Sequence, residues 1–265
     1  MNIKEIVESG RFDLHIHTTA SDGDYSPTEM VKRASDIGLK TIAITDHDTL
    51  DGLEEAFEAG KKYGVVVIPG IEISTKYNEK SVDVLGYHIS PTQELLQLLI
   101  ELRMERETRA YKIIEKFKEI GMPITIEEVL KYSKGDVISR PHIAKAIIEK
   151  GYVTSYQAVF DEYLADGKPC SIDKKIILPE EGIELIHQAG GIAVLAHPVY
   201  LEDSMTEELL NLPFDGIEVW HRSHTLEDIT KYSLLARKFN LMVTGGSDFH
   251  SDNHNLGNFG FSPRR

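Results

Sequence analysis

Seven short apolar segments alternate with helical patterns along this chain of 265 residues. Four lie before residue 90, at residues 12–17, 40–45, 65–68 and 82–87, and three follow residue 178, at residues 191–196, 216–220 and 241–245. Strands that alternate with helices favour a parallel sheet, and seven of them with short connections suit a barrel or a doubly wound sheet. The sequence therefore predicts an α/β fold.

Residues 92–178 interrupt this alternation. A long helical pattern over 92–120, a capping box at Thr125, a proline that opens a third helix at Pro141 and a fourth pattern over 155–165 predict a small helical domain inserted between strands four and five. The predicted parts are therefore 1–91, 92–178 and 179–265. Charge follows the same division, because the insertion holds 14 Lys/Arg and 14 Asp/Glu and the whole net charge of −14 lies outside it.

Composition excludes several classes of protein. The acidic outer parts would repel a phosphate backbone, so duplex DNA is not an expected partner. No apolar run reaches the roughly 18 residues that a membrane span needs, and the first residues show no secretory signal. Cys170 is the only cysteine, which rules out an internal disulfide and a multi-thiolate metal site. We expect a cytoplasmic protein with no membrane partner and no obligatory protein partner.

Side chains that bind metal ions recur where the predicted strands end. His15 and His17 are two residues apart on the first strand, so both face the same side. Further residues of this type follow four other strands: His47, Glu72, His197, Asp248 and His250. The carboxyl ends of the strands form the active face of a (βα) barrel. Imidazoles and carboxylates without thiolates suit Zn, Mn or Fe, and several carboxylates indicate more than one ion.

These residues lie in six motifs that resemble the polymerase and histidinol phosphatase (PHP) superfamily. The motifs are DLHIH at 13–17, SDG at 21–23, TDHDT at 45–49, PGIEIS at 69–74, AHP at 196–198 and SDFH at 247–250. Within the insertion, SRPHIA at 139–144 and GKP at 167–169 are similar to the stand-alone members that act on nucleoside 3′,5′-bisphosphates and short RNA ends.

The resemblance implies a distorted seven-stranded (βα)7 TIM-like barrel that holds two or three divalent ions, usually described with Mn²⁺. The implied ligands are His15, His17, Glu72 and Asp248 for one ion, Glu72 and His197 for a second, and Asp22, His47 and His250 for a third. Eleven residues after Glu72, where the closest relatives carry histidine, this chain has Asp83. We expect Asp83, rather than His88, to complete the second site.

The resemblance also implies a phosphoesterase that uses metal-activated water, most simply one that converts a nucleoside 3′,5′-bisphosphate to a nucleoside 5′-monophosphate and phosphate. The expected catalytic residues are Asp22, His47, His197 and Arg140. The expected phosphate contacts are Ser139, Arg140 and Lys168, since the planar fork of arginine and the point charge of lysine both bind phosphate. We also expect Asp46 to orient a histidine.

Three alternatives remain open at this point. The chain could be a 5′–3′ exonuclease on short RNA, a histidinol-phosphate phosphatase, or a metal-binding regulatory module without catalysis. Histidinol phosphate needs no second phosphate clamp, and loss of catalysis is usually accompanied by replaced ligands. Only the Asp83 position departs from the ligand set, which argues against the regulatory module.

Overall fold

The computed structural model of the chain describes residues 2–133, 138–165, 167–172 and 177–261. The chain divides into two compact units. We call residues 1–96 with 176–265 the barrel unit, and residues 97–175 the helical unit.

The described part of the barrel unit contains a seven-stranded sheet in which each strand pairs with the next one along the chain. The strands are β1 (Phe12–Asp13), β2 (Thr41–Ile44), β3 (Val66–Tyr77), β4 (Lys80–Tyr87), β5 (Ile192–Leu195), β6 (Gly216–His221) and β7 (Met242–Gly246). The N–H of Leu14 donates to the carbonyl of Gly245 over 3.2 Å, and Ile16 bridges to Phe249 in parallel. The sheet therefore closes between β1 and β7 into the predicted barrel.

One strand runs against the others. β4 pairs with both β3 and β5 in the antiparallel sense, so the sheet is not wholly parallel as expected. Only Asn78 and Glu79 separate β3 from β4, and both have positive φ, 45° and 63°. Two such residues make a tight hairpin, whereas a parallel neighbour needs a crossover of a dozen or more residues. The beginning of β4 consequently lies beside the end of β3, where Asp83 pairs with Ser74.

The helices have strong local start signals. They are α1 (Ile3–Ser9), α2 (Pro27–Asp36), α3 (Leu53–Tyr63), α4 (Gln93–Glu119), α5 (Ile126–Leu130), α6 (Arg140–Glu149), α7 (Tyr156–Val159), α8 (Pro179–Gln188), α9 (Asp203–Leu209) and α10 (Leu226–Lys238). At α2, for example, Ser26 and Glu29 form a reciprocal capping box around Pro27. None of the helices in the described part of the chain combines the length and apolar character that a bilayer crossing needs.

Each unit has its own apolar core. In the barrel unit, Leu14, Leu85 and Val194 belong to one buried cluster, and Ile16 belongs to another that packs β2 against α2 and α3. The core of the helical unit includes Ile113, Phe117, Ile143, Ile147 and Leu164, all nearly inaccessible to solvent. The apolar side chains of the barrel strands fix the backbone that carries the polar strand ends.

Candidate metal centre

Two histidines that follow β1 converge on one point inside the barrel. His15 and His17 are fully buried. Nε2 of His15 lies 3.3 Å from Oε2 of Glu72 and 3.5 Å from Oδ1 of Asp248. The same two oxygens lie 3.1 Å and 3.2 Å from Nε2 of His17. A β-carbon at Gly246 would lie 2.3 Å from Cβ of His15, so glycine is what lets β7 approach β1 this closely.

Glu72 contacts four imidazoles, all within 3.3 Å. Besides His15 and His17, Nδ1 of His47 lies 3.2 Å from its Oε2, and Nε2 of His197 lies 3.0 Å from its Oε1. Burial alone would raise the pKa of Glu72, but His47 and His15 hold it well below its ordinary value. Glu72 is therefore ionised, and its two oxygens face different imidazoles.

A second group of ligand atoms adjoins the first. His17, Asp22, His47 and His250 each offer one ligand atom within 4.8 Å of the others. Nε2 of His250 lies 3.3 Å from Oδ1 of Asp22. Burial raises the pKa of Asp22, but His47 and His250 outweigh burial and hold this pKa well below its ordinary value.

Asp83 reaches the same place from β4. Its Oδ2 lies 3.8 Å from Nε2 of His197, and its carboxylate forms a third group with His47 and Glu72 in which the ligand atoms lie within 4.8 Å. Because β4 is antiparallel to β3 and β5, a residue near its beginning lies level with their ends. His88 lies beyond the end of β4, with φ of 59°, and belongs to none of the groups formed by described residues.

Nine side chains thus form the candidate metal centre: His15, His17, Asp22, His47, Glu72, Asp83, His197, Asp248 and His250. They come from six of the seven strands or from the loops that follow them. All nine were predicted as ligands from the sequence, and the structure brings all nine together.

The electrostatics of the centre favour bound cations. Burial alone would lower the pKa of His17, but the adjoining carboxylates of Asp248 and Glu72 raise it to about 10. Against the same effect of burial, Glu72 raises the pKa of His197 to about 9. Within the described part of the chain, both ring nitrogens of His17 and Nδ1 of His47 are buried without a hydrogen bond of normal geometry. Buried imidazole nitrogens in this state fit divalent ions, which imidazoles and carboxylates bind together.

Asp46 holds the loop that leads to Asp22. Its Oδ1 accepts hydrogen bonds from the N–H of Thr18 over 2.7 Å and from the hydroxyl of Ser21 over 2.6 Å. Its Oδ2 accepts from the hydroxyl of Thr18 over 2.8 Å. The expectation that Asp46 orients a histidine is therefore wrong, because both of its oxygens bind this loop instead.

Three residues on β6 or directly after it contact the centre and were not predicted from the sequence. Oε1 of Glu218 lies 3.0 Å from Nδ1 of His15. Nε2 of His221 lies 3.3 Å from Oδ2 of Asp248, and Nη2 of Arg222 lies 2.6 Å from the same oxygen. His221 ends β6 as other predicted ligands end or follow their strands, and this was the available signal for it. Glu218 lies within the strand and carried no such signal.

The expected phosphate contacts lie in the helical unit. Ser139 precedes α6, and its N–H donates to Nδ1 of His142 over 3.3 Å. Arg140, the first residue of α6, is half-buried and donates from Nη1 to the carbonyl of Leu164 over 3.2 Å. Lys168 is exposed. Ser139 and Arg140 therefore share a helix N-terminus, a place where backbone N–H groups favour anions.

Comparison with known families identifies the class of protein. The PHP domain family matches residues 13–166, which is more than half of the chain. The chain belongs to this family, and the resemblance inferred from the motifs is confirmed. The motifs at 196–198 and 247–250 lie beyond the matched residues.

Individual relatives extend over nearly the whole chain. A 5′-3′ exoribonuclease of Haemophilus influenzae is 34% identical over 247 residues, 91% of this chain and 90% of the relative. A 3′,5′-nucleoside bisphosphate phosphatase of Chromobacterium violaceum is also 34% identical, over 90% of this chain and 87% of the relative. The solved structure of an amidohydrolase from Chromobacterium violaceum, with bound sulfate and no metal, superposes with a TM-score of 0.85 at 32% identity, covering 94% of this chain and 90% of the other.

Proposed function

We propose that this chain is a metal-dependent phosphoesterase that removes the 3′-phosphate from a nucleoside 3′,5′-bisphosphate. The observation that carries the proposal is Glu72, a buried carboxylate with imidazoles within 3.3 Å of both of its oxygens. The expected enzyme class, a phosphoric ester hydrolase, is confirmed by family membership and by the two similar phosphoesterases. A cytoplasmic location is part of the proposal.

The ligands divide among two or three Mn, Fe or Zn ions. We assign His15, His17, Glu72 and Asp248 to one ion, and Glu72, Asp83 and His197 to a second. A third would be held by Asp22, His47 and His250. When bound, such ions activate water and neutralise charge on the phosphoryl oxygens.

The exposure of the ligands indicates which of them a substrate can reach. The side chains of His15, His17 and Glu72 are at most 1% exposed, whereas that of Asp22 is 28% exposed and that of His47 is 22% exposed. The side chain of His197 is 14% exposed. His250 and Asp83 are 22% and 17% exposed, so together with Asp22, His47 and His197 they form the accessible edge of the centre, at which a phosphoryl group would bind and react.

Arg140, together with Ser139 and Lys168, would bind the phosphate that is not cleaved. The bond from Arg140 to Leu164 fixes the direction of the guanidinium, and a directed guanidinium can bind phosphate through two parallel hydrogen bonds. Lys168 is exposed and would add one positive charge. The substrate would therefore need two phosphates to use all of these contacts.

A panel of phosphate esters tests this function. Phosphate release should be fastest with a nucleoside 3′,5′-bisphosphate, slower with nucleoside monophosphates and with histidinol phosphate, and dependent on added Mn²⁺, Fe²⁺ or Zn²⁺. Release of mononucleotides from short 5′-phosphorylated RNA is the second candidate, because the exoribonuclease relative is as similar as the phosphatase. No turnover of any ester with any of the three ions would contradict the proposal and favour a regulatory module.

A further inference from the structure

Glu218 lies on β6, the one strand of the barrel that contributes no ligand to the candidate metal centre. Its side chain is fully buried, as are those of its strand neighbours Ile217 and Val219. A buried carboxylate is costly unless its oxygens are hydrogen-bonded. Both oxygens of Glu218 have such a partner, and each partner belongs to a metal ligand.

The first partner is the imidazole of His15. Oε1 of Glu218 lies 3.0 Å from Nδ1 of His15, while Nε2 of the same ring faces Glu72 and Asp248 at 3.3 Å and 3.5 Å. A carboxylate can only accept, so Nδ1 must carry the proton. This leaves Nε2 with a lone pair directed at the carboxylates with which it would share an ion.

The second partner is the backbone of His197. Oε2 of Glu218 accepts a hydrogen bond from the N–H of His197 over 2.8 Å. His197 has φ of 21° and ψ of 62°, a conformation that residues other than glycine seldom adopt. The bond to Glu218 helps to hold this turn, and the turn aims the His197 ring at Glu72.

We propose that Glu218 is the positioning residue of the metal centre, which fixes the tautomer of His15 and the backbone of His197 through its two oxygens. The inference rests on the proposed metal centre and not on the identity of the substrate. A carboxylate that orients a ligating histidine typically changes metal affinity about 10- to 100-fold when it is removed.

Glu218→Gln is the sharpest test because it keeps the shape and removes one acceptor. If the remaining oxygen faces His15, the amide NH2 opposes the N–H of His197. If the amide is turned over, its NH2 faces Nδ1 of His15 and moves the ring proton to Nε2, which then cannot bind an ion. In either orientation, either His15 or His197 loses the acceptor that residue 218 provided.

The readouts are metal affinity and the state of the His15 ring. Calorimetric titration of metal-free protein with Zn²⁺ and with Mn²⁺ should show about 10- to 100-fold weaker binding for Glu218→Gln. Glu227→Gln, the same change at an exposed position of α10, should bind like the unsubstituted protein. In the zinc form, nitrogen NMR of the imidazoles should show His15 protonated at Nδ1 in the unsubstituted protein and a mixture in Glu218→Gln. His15→Gln assigns the resonance.

Other outcomes distinguish failure of the role proposed for Glu218 from failure of the proposed metal centre. A lower melting temperature of metal-free Glu218→Gln with unchanged metal affinity and unchanged His15 tautomer would mean that Glu218 only supports the fold. Absence of Zn²⁺ and Mn²⁺ binding by the unsubstituted protein would overturn the metal centre itself. If Glu218→Gln does not fold, Glu218→Asp retains the charge but cannot reach both partners, and the same loss of affinity is expected for it.

Discussion

The candidate metal centre of the barrel unit and the proposed phosphate contacts of the helical unit differ in how they are held. In the centre, buried charges contact one another, as Glu72 does with four imidazoles at 3.0 to 3.3 Å. In the helical unit, Arg140 is half-buried with a bond to Leu164, and Lys168 is exposed. The cost of a substitution is large among mutually dependent buried charges and small at exposed positions.

This difference suggests how one metal centre can serve several substrates. Glu72 and the other fully buried ligands cannot change one at a time without leaving a buried charge uncompensated. Arg140 and Lys168 are more exposed, so substitutions there should cost the fold little. The two relatives at 34% identity are named for different phosphate esters, a nucleoside bisphosphate and RNA. We therefore expect the chemistry to depend on the barrel unit and the choice of substrate to depend on the helical unit.

The largest effect is expected at Glu72. Glu72→Gln removes the charge on which the imidazoles converge, and should lower phosphate release at least about 1,000-fold, equivalent to about 4 kcal/mol of transition-state stabilisation. Elemental analysis should find at least one ion fewer per chain. The control is Glu79→Gln, at an exposed position in the β3–β4 turn, which should behave like the unsubstituted protein. Full metal content and full activity in Glu72→Gln would show that Glu72 is not a metal ligand.

A smaller and selective effect is expected at Arg140. Loss of a charged, two-point contact to phosphate should cost about 2 to 4 kcal/mol, or about 30- to 1,000-fold in kcat/KM, for a nucleoside 3′,5′-bisphosphate. The same Arg140→Ala variant should turn over p-nitrophenyl phosphate almost normally, with unchanged metal content. Lys168→Ala should show the same selectivity and a smaller loss. Equal losses of kcat/KM on both substrates would contradict the proposal that the barrel unit carries the chemistry and the helical unit selects the substrate.

Substitutions of Asp83 test whether β4 contributes a ligand to the metal centre. Asp83→Ala should lower metal content and should also lower phosphate release about 10- to 100-fold, since one ligand of one ion is lost. Asp83→His, which introduces the residue that the family resemblance implies at this position, should retain Mn²⁺-dependent activity. His88→Ala should change neither quantity. The opposite pattern, with His88→Ala inactive and Asp83→Ala normal, would exclude Asp83 as a ligand.

The smallest effect concerns pH and stability. In the metal-free chain the pKa values of His17 and His197 are raised to about 10 and about 9. Groups with raised pKa values stabilise fully below their ordinary pKa of about 6.5, and that contribution is lost as pH rises through the folded values. Metal-free protein should therefore lose about 5 °C or more in melting temperature between pH 7 and pH 10.

Metal-loaded protein should keep its melting temperature over the same range, because bound ions replace the protons that neutralise the carboxylates. Differential scanning calorimetry of the two forms at matched pH measures the difference between their melting temperatures, which should increase as pH rises. Parallel curves for the two forms would show that protons and ions do not compete for these histidines.

Much of the fold could be predicted from the sequence, because the alternation of strands and helices is a local property. The direction of β4 was missed for a physical reason. Pro69 and Gly70 have the composition of a strand end, but β3 continues through them to Tyr77 and turns at Asn78 and Glu79. Pro69 is tolerated in this strand although it has no N–H to donate.

Most of the candidate ligands could be predicted because they lie at or just beyond a predicted strand end in a recognisable motif, whereas the residues that support them could not. Glu218 interrupts an apolar run and looks like an ordinary strand residue. Its partner His15 is 203 positions away, and a single sequence does not reveal such a pairing. Asp46 was misinterpreted for the same reason, since its partners Thr18 and Ser21 belong to another loop.

The closure between β1 and β7 also has a consequence for the order of folding. β1 has only two residues, and Asp13 reaches the backbone N–H of Ser247, 234 positions away, over 2.9 Å. Joining such distant segments carries a loop-closure entropy that grows with the logarithm of their separation, so this contact should form late. An ion bound by both His17 and Asp248 would link the segment after β1 to the segment after β7, where the barrel closes. Metal loading would then stabilise the completed barrel.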